Sequence, residues 1–287
     1  MKKALYVIVI MILIIAFCVS AFLVARYVLE GKKQADRYED LANIKNQAQT
    51  SVPTQATKPS TATEPSKPGF EVISDPTVEG GILLDYAELH DMNPDLAGWI
   101  KIEGTKVDYP VMQTSTNNKD YYLKRDFDKQ DSVRGCIYAR EECDLDKPSD
   151  NITIYGHNMA NRTMFGGLQS YGETLKFDDN AVMYIYQPGR QLTYKFFACI
   201  PYDTSHILYY HDFKDEKVFN AFFEALGKAA SDPKYKSDTN QNAFYSAEGC
   251  VNVDKTNLPQ AGDKVVVLSV CKNGDDHHRY LLMAKLV

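Results

Sequence analysis

The sequence is poor in cysteine, with six in 287 residues. That is too sparse for a disulfide scaffold, so each thiol has to be judged by its own surroundings. It also lacks an excess of basic charge: 32 Lys and Arg against 38 Asp and Glu leave a formal net charge of -6. A nucleic-acid binder normally carries a basic stripe and a high pI, so this balance argues against one, though not against a local basic patch. Metal ligands at spaced intervals are missing as well. The densest run, Asp275-Asp276-His277-His278, has no matching cluster elsewhere in the chain. What the chain does have is a hydrophobic content of 44%. Over this length that supports a core of ordinary size and one or two domains at about 150 residues each.

One apolar run stands apart. Ala4 to Val24 is 21 residues broken only by polar Ser20, which at about 1.5 Å per residue spans roughly 31 Å, the thickness of a hydrocarbon core. Lys2 and Lys3 precede it, so the positive-inside rule puts the N-terminus in the cytoplasm and the rest of the chain outside. A cleaved signal peptide is the alternative. Val19-Ser20-Ala21 offers a weak small-residue site, but the run is longer than a usual h-region, which favours an uncleaved anchor. A lipoprotein reading through Cys18 is disfavoured by bulky Phe17.

Beyond the run, Glu30 to Gln49 is polar with charges of both signs, compatible with a solvated helix or with disorder. Residues 50–69 then change character: twelve of the twenty are Ser, Thr or Pro, with Pro53, Pro59 and Pro65 at six-residue intervals. Such a segment cannot bury a core and favours extended polyproline conformations, reaching about 60 Å at roughly 3.1 Å per residue. The expected organisation is a cytoplasmic tip and membrane anchor over 1–25, a polar stalk over 26–79, and one globular domain over 80–287.

The globular part is mostly strands. Trp99–Ile102 and Lys106–Val111, separated by Glu103-Gly104-Thr105, read as a hairpin. Asn151–Tyr155, Ala181–Tyr186, Leu192–Pro201, Lys264–Cys271 and Arg279–Val287 repeat the signal. Both faces of Val265–Val270 are apolar apart from Ser269, as in a central strand. Phe219, Phe222, Phe223 and Leu226 instead carry the i, i+3, i+4, i+7 stripe of a helix ending near Gly227. A second helix is expected around Leu83–Leu89. Many short strands with two or three helices predict a barrel with helical insertions.

Outside the anchor the cysteines are Cys136, Cys143, Cys199, Cys250 and Cys271, an odd number, so at least one thiol is unpaired within a monomer. Cys136 and Cys143 are near enough in sequence to bridge, and nothing in the sequence decides whether they do. Cys199, within Phe196-Phe197-Ala198-Cys199-Ile200, reads as a buried inert thiol, and Cys250 carries no functional signal. Cys271 differs because it ends a central strand before the polar loop Lys272–His278, and Arg279 opens the next strand. If the two strands pair about Asp275, Cys271 and Arg279 stand opposite each other, about 5 Å apart at Cβ, with Ser269 on the same face. A thiol beside a guanidinium suits acyl transfer: the thiolate attacks a carbonyl and a fixed cation stabilises the oxyanion. The plain alternative is a structural hairpin with an incidental cysteine. The residues alone do not choose a base. His277 and His278 are close in sequence but read as loop decoration, His206 and His211 flank a tyrosine-rich segment, and His157 follows the strand Asn151–Tyr155 on a turn.

Several separate motifs resemble the sortases, membrane-anchored cysteine transpeptidases of Gram-positive bacteria, and class B most of all. Tyr155-Gly156-His157 matches the family's histidine motif, with Asn158-Met159 suiting class B. Val267-Leu268-Ser269-Val270-Cys271 matches the Thr-Leu-x-Thr-Cys motif, and Arg279 follows the cysteine at a class B spacing. Gly98-Trp99-Ile100, Asp108-Tyr109-Pro110-Val111 and Asn118 through Tyr121-Tyr122-Leu123 resemble the class B N-terminal half. The departures are Val267 and Val270, where the motif usually has threonines. Val270 adjoins the cysteine but is expected to face the barrel interior, which alters packing rather than chemistry.

The resemblance implies an eight-stranded β-barrel with a helix-bearing loop before its seventh strand. It makes Cys271 the nucleophile, His157 the acid and base, and Arg279 the oxyanion or substrate-backbone ligand. Tyr155, Asn118, Leu123 and Ser269 match positions near the substrate groove. No metal or organic cofactor is implied. The partners implied are surface proteins bearing a C-terminal sorting signal (of the Asn-Pro-x-Thr-Asn kind or a variant) and an amine of a peptidoglycan cross-bridge. A pilus-building sortase, a papain-like peptidoglycan hydrolase and a non-enzymatic stalked binding module are the competing readings. The hydrolase is disfavoured by order, because papain-like enzymes place Cys before His and here His157 precedes Cys271.

Overall fold

The computed structural model describes residues 2–47, 84–114, 118–140, 142–145, 147, 150–173, 177, 181–187, 190–203, 213–229, 252–272 and 275–287. The Ser/Thr/Pro-rich segment, His206, His211 and Cys250 lie outside the described residues. The chain divides into two units, residues 1–43 and 44–287.

The first unit is built on helix α1 (Lys2–Gln47), 46 residues and so about 69 Å long. Its apolar side chains are exposed on every side from Tyr6 through Val24. An unburied helix that is apolar all round is what a lipid environment stabilises, and α1 is long and apolar enough to cross a membrane. The polar residues after Arg26, compatible with helix or disorder on sequence grounds, continue the same helix. Arg26 and Glu30 form an exposed i, i+4 ion pair there.

The second unit is a closed β-barrel. Strands β1 (Leu96–Ile102) and β2 (Asp108–Met112) form the expected hairpin, with Gly104 at φ 74° in its turn. That left-handed conformation is open to glycine at little cost. β3 (Ile137–Ala139) runs parallel to β2 and antiparallel to β4 (Asn151–Tyr155). β5 (Val182–Gln187) pairs with β1 and with β6 (Arg190–Asp203). A two-residue β7 (Asn252–Val253) hangs on β6. β8 (Val265–Lys272) lies parallel to β4, and β9 (Asp275–Leu286) closes the set by pairing with both β8 and β6. The order β5-β1-β2-β3-β4-β8-β9-β6, joined again through β5–β6, makes eight strands in a ring, with β7 outside it. This is the barrel that the sequence predicts.

The apolar pattern of β8 explains its central place. Val265 and Val267 pack outward beneath helix α4, counting the short helices α2 (Leu84–Met92) and α3 (Ser170–Glu173) before it. That helix runs from Glu216 to Ala229 and presses Phe219, Phe222, Phe223 and Leu226 onto the sheet beside Phe197, Ile200 and Met283. Val266, Leu268 and Val270 alternate to the other face and are almost wholly buried. Val270 therefore points away from the face of Ser269 and Cys271, as expected. The helix ends at Ala229, two residues past Gly227 and so close to the expected end. Tertiary packing of the aromatic stripe outweighs the roughly 1 kcal/mol propensity cost of one glycine.

Two expectations are corrected. Most of the expected loop is strand: Lys272 still belongs to β8, β9 already begins at Asp275, and these two residues pair. His277 and His278 consequently belong to a strand, where Asp203 of β6 is the partner of His278. The continuation of β6 to Asp203 supplies a second ladder for these residues, and their polar composition hides it.

Candidate active site

The site is assembled by strand order. β4, β8 and β9 are neighbours in the ring. Tyr155 at the end of β4 is the ladder partner of Ser269 in parallel β8, and Gly156 N donates to Ser269 O at 3.3 Å. His157 lies two residues beyond Tyr155, and Cys271 two beyond Ser269. Since parallel strands stand about 4.8 Å apart, His157 and Cys271 leave the sheet abreast. On the other side of β8, Cys271 pairs with Arg279 of antiparallel β9. The thiol is thus flanked by an imidazole strand end and a guanidinium strand. A register shift immediately after Cys271 separates this pair from Lys272–Asp275. The Cys271–Arg279 pair keeps the register that runs unbroken from Val265–Lys285, and the shift comes only after it.

The imidazole is held from a third direction. His157 Nε2 lies 2.7 Å from the carbonyl oxygen of Leu123. A carbonyl only accepts, so Nε2 carries the hydrogen and donates, which leaves Nδ1 to exchange protons. Leu123 closes the 3-10 turn Tyr121–Leu123, whose last N–H returns to Asp120 O at 3.0 Å. Below this turn Gly135 approaches so closely that a Cβ would sit 2.4 Å from the Leu123 carbonyl oxygen, and its φ is 54°. Only glycine fits both demands. Gly156 is equally constrained, since a Cβ there would lie 2.6 Å from side-chain atoms of Ile137 and Phe165.

The wall beside the site is a small electrostatic network. Asp120 accepts from Arg140 through Nε at 3.0 Å and Nη2 at 2.6 Å, and from Tyr138 Oη at 2.9 Å. The Arg140 guanidinium stands 5.0 Å from the Tyr155 ring centre, and Tyr138 stacks on the same ring at 5.3 Å. Burial, with the nearby Asp120 carboxylate, raises the Tyr138 phenol well above its ordinary range. It stays a neutral donor to Asp120. Tyr122 Oη donates to Asp95 at 2.7 Å and anchors the turn from the other side.

The sequence-based candidates are therefore distributed as follows. Cys271 and Arg279 pair across β8 and β9, Tyr155 pairs with Ser269 across β4 and β8, and His157, just beyond the end of β4, hydrogen-bonds to Leu123. Tyr155 and Ser269 are largely buried, whereas Leu123 and Cys271 are half-buried. Asn118 sits exposed just before the 3-10 turn, its carbonyl accepting from Tyr121 N at 3.1 Å. Cys136, Cys143 and Cys199 are buried and in no disulfide, so Cys136 and Cys143 are not bridged. Burial pushes the Cys143 thiol up to about 11. Asp120, Gly135, Tyr138, Arg140 and the role of Asn158 escape sequence reasoning. The only signal was the position of Asn158 beside His157; the others act through contacts between separate segments.

Comparison with known proteins finds likenesses in sequence and in fold. No family model matches the chain. Sortase B of Staphylococcus aureus (strain NCTC 8325 / PS 47) is 23% identical over 204 residues, covering 70% of this chain and 74% of that protein. Sortase B of Listeria monocytogenes serovar 1/2a (strain ATCC BAA-679 / EGD-e) is 26% identical over 215 residues, covering 73% and 77%. Among solved structures, the Staphylococcus aureus sortase B–substrate complex superposes with a TM-score of 0.62 at 20% identity, covering 90% of this chain and 98% of that one.

Proposed function

We propose that this chain, a class B sortase by its likeness in sequence and fold and hence a cysteine transpeptidase of the cell surface, joins proteins bearing a C-terminal sorting signal to an amine of the peptidoglycan cross-bridge. Cys271 is the nucleophile. Its thiolate attacks the carbonyl of the scissile peptide bond, and the charge that develops on the carbonyl oxygen is met by the Arg279 guanidinium. Collapse breaks the C–N bond, and His157 gives its proton to the leaving amine, leaving a thioester on Cys271. The incoming amine attacks that thioester, His157 takes its proton, and Cys271 departs as the thiolate as a new amide forms. Tyr155, Ser269, Leu123 and Asn118 line the approach for the signal peptide. The single observation that supports the reading is the pairing of Cys271 with Arg279 across β8 and β9, next to β4, whose end leads into His157.

Helix α1 anchors the enzyme, with Lys2 and Lys3 on the cytoplasmic side and the barrel outside. The Ser/Thr/Pro-rich segment spaces the barrel from the membrane. The test uses the full-length chain in detergent micelles with a sorting-signal peptide and an added amine. An amide product between the two is expected. Hydrolysis alone would indicate a hydrolase, binding without turnover a binding module, and exclusive use of a pilin lysine a pilus-building enzyme.

A further inference from the structure

We propose that Asn158 is a positioning residue that fixes the gap between His157 and Cys271. The inference rests on the reading of those two residues given above, and it assigns to Asn158 a role that the likeness to known proteins does not. Asn158 Nδ2 donates to the carbonyl of Cys271 at 2.7 Å, across 113 residues of sequence. The carbonyl it engages lies at the register shift between Cys271 and Lys272, where the β8–β9 ladder is interrupted. The amide thus ties the segment carrying the imidazole to the end of the strand carrying the sulfur.

The loop behind Asn158 is built to transmit that tie. Phe165 N donates to His157 O at 3.0 Å, and Asn158 and Met164 form an isolated bridge. A Cβ on Gly166 would lie 2.2 Å from Met159 O, so the two limbs of the loop touch through their backbones. Arg162 and Met164 both hold φ values in the left-handed region, 62° and 52°. Non-glycine residues adopt that region at a cost, and keep it only where the surroundings over-determine the chain. Met164 N is in addition held by Tyr109 Oη at 3.2 Å.

The division of labour follows from geometry. The Leu123 carbonyl fixes the imidazole at Nε2, but a ring held at one atom still pivots. Asn158 fixes the adjacent backbone against β8, so the second nitrogen, Nδ1, is kept at a set reach from the thiol. Proton transfer depends on that reach, because a displacement of about 1 Å from reacting geometry costs on the order of 10²-fold in rate. The Asn158 amide binds a backbone carbonyl, so its effect passes through the position of His157.

The test is a double-mutant cycle on the full-length chain in detergent, with Asn158→Ala, Asn158→Asp, His157→Ala and His157→Ala/Asn158→Ala. Alkylation of Cys271 by iodoacetamide, followed by peptide mass spectrometry, needs no sorting signal. Asn158→Ala is expected to slow alkylation at neutral pH by about threefold or more, and to add nothing when His157 is already alanine. In turnover, both Asn158 variants are expected to lose about tenfold or more in kcat, with KM within about threefold. Equal slowing in both backgrounds would overturn the proposal, since Asn158 would then act on the strand and not through His157. So would full kcat in Asn158→Asp, where the amide donor is replaced by an oxygen facing a carbonyl. If His157→Ala leaves alkylation unchanged, the thiol and imidazole are uncoupled, and the reading of the site fails before that of Asn158.

Discussion

Each of the described thiols in the second unit has an environment that fixes its reactivity. Cys271 is half-buried at a strand end, whereas Cys136, Cys143 and Cys199 are enclosed in the core. Cys271→Ala should abolish turnover, and alanine at Cys136, Cys143 or Cys199 should leave it once folding is verified. Cys143 adds a pH-dependent signature. Its folded value of about 11 stands above an ordinary 9.0 because burial disfavours the thiolate. Its contribution to stability is thus complete below pH 9 and is lost as pH rises towards 11, where the unfolded chain ionises more readily. Thermal scans from pH 8 to 11 should show a loss of Tm in the parent that is smaller in Cys143→Ala. An identical slope in both proteins would remove Cys143 from the account.

Arg279 has the role most sensitive to side-chain shape. Arginine presents a planar fork of donors, while lysine is a flexible point charge. A guanidinium that meets an oxyanion contributes only near the transition state, so its loss falls on kcat. Arg279→Lys is expected to lose about 10²-fold or more in kcat, comparable to removing one oxyanion donor. A raised KM with kcat spared would instead make Arg279 a ground-state grip on the peptide.

At the scale of elements, the β8–β9 hairpin shows what the sequence discloses and what it conceals. Counting about Asp275 places Cys271 opposite Arg279, and the ladder has that pair. The route differs from the simple count. Lys272 already pairs with Asp275, and the register shift takes up Asp276, His277 and His278 before Arg279. Bulges leave little trace in a hydrophobic pattern, and a polar run reads as a loop even where a neighbouring strand pairs with it. β3 was invisible for a related reason. At three residues it is too short to set a period of its own, and its pairing with β2 is long-range. The helix α4 was legible because four large apolar residues share one face. Phe223→Ala, which empties the centre of that face, should cost about 3–5 kcal/mol of stability, read as a fall in denaturation midpoint. A change below 1 kcal/mol would mean that α4 is not an integral cover for β8.

The 3-10 turn below the site is the element with the most exposed mechanism. It is linked to His157 through a backbone carbonyl, which no sequence pattern announces. Gly135→Ala should push the Leu123 carbonyl aside and lower kcat by about 10²-fold. Activity like that of the parent would show that the imidazole does not need that acceptor.

For the molecule as a whole, the sequence revealed chemistry more readily than support. Cys271 and Arg279 stand out because they flank a polar run between two apolar strands, whereas His157 was singled out only by the resemblance to the sortases. The network that holds them runs through Asp120, Arg140, Tyr138 and Asn158, joining residues up to 113 positions apart, and it becomes visible only when the barrel closes. The closed ring also explains why one strand-end cluster suffices. Parallel β4 and β8 finish at the same end of the barrel, and β9 starts there.

The central claim is that a peptide carbonyl is carried on Cys271 as a thioester. The direct measurement is intact and peptide-level mass spectrometry of the full-length chain, acid-quenched after exposure to a sorting-signal peptide without added amine. The expected result is a mass increase equal to the acyl fragment, located on the peptide containing Cys271 and released by hydroxylamine as a hydroxamate. An adduct on any other residue, or turnover that persists in Cys271→Ala, would contradict it.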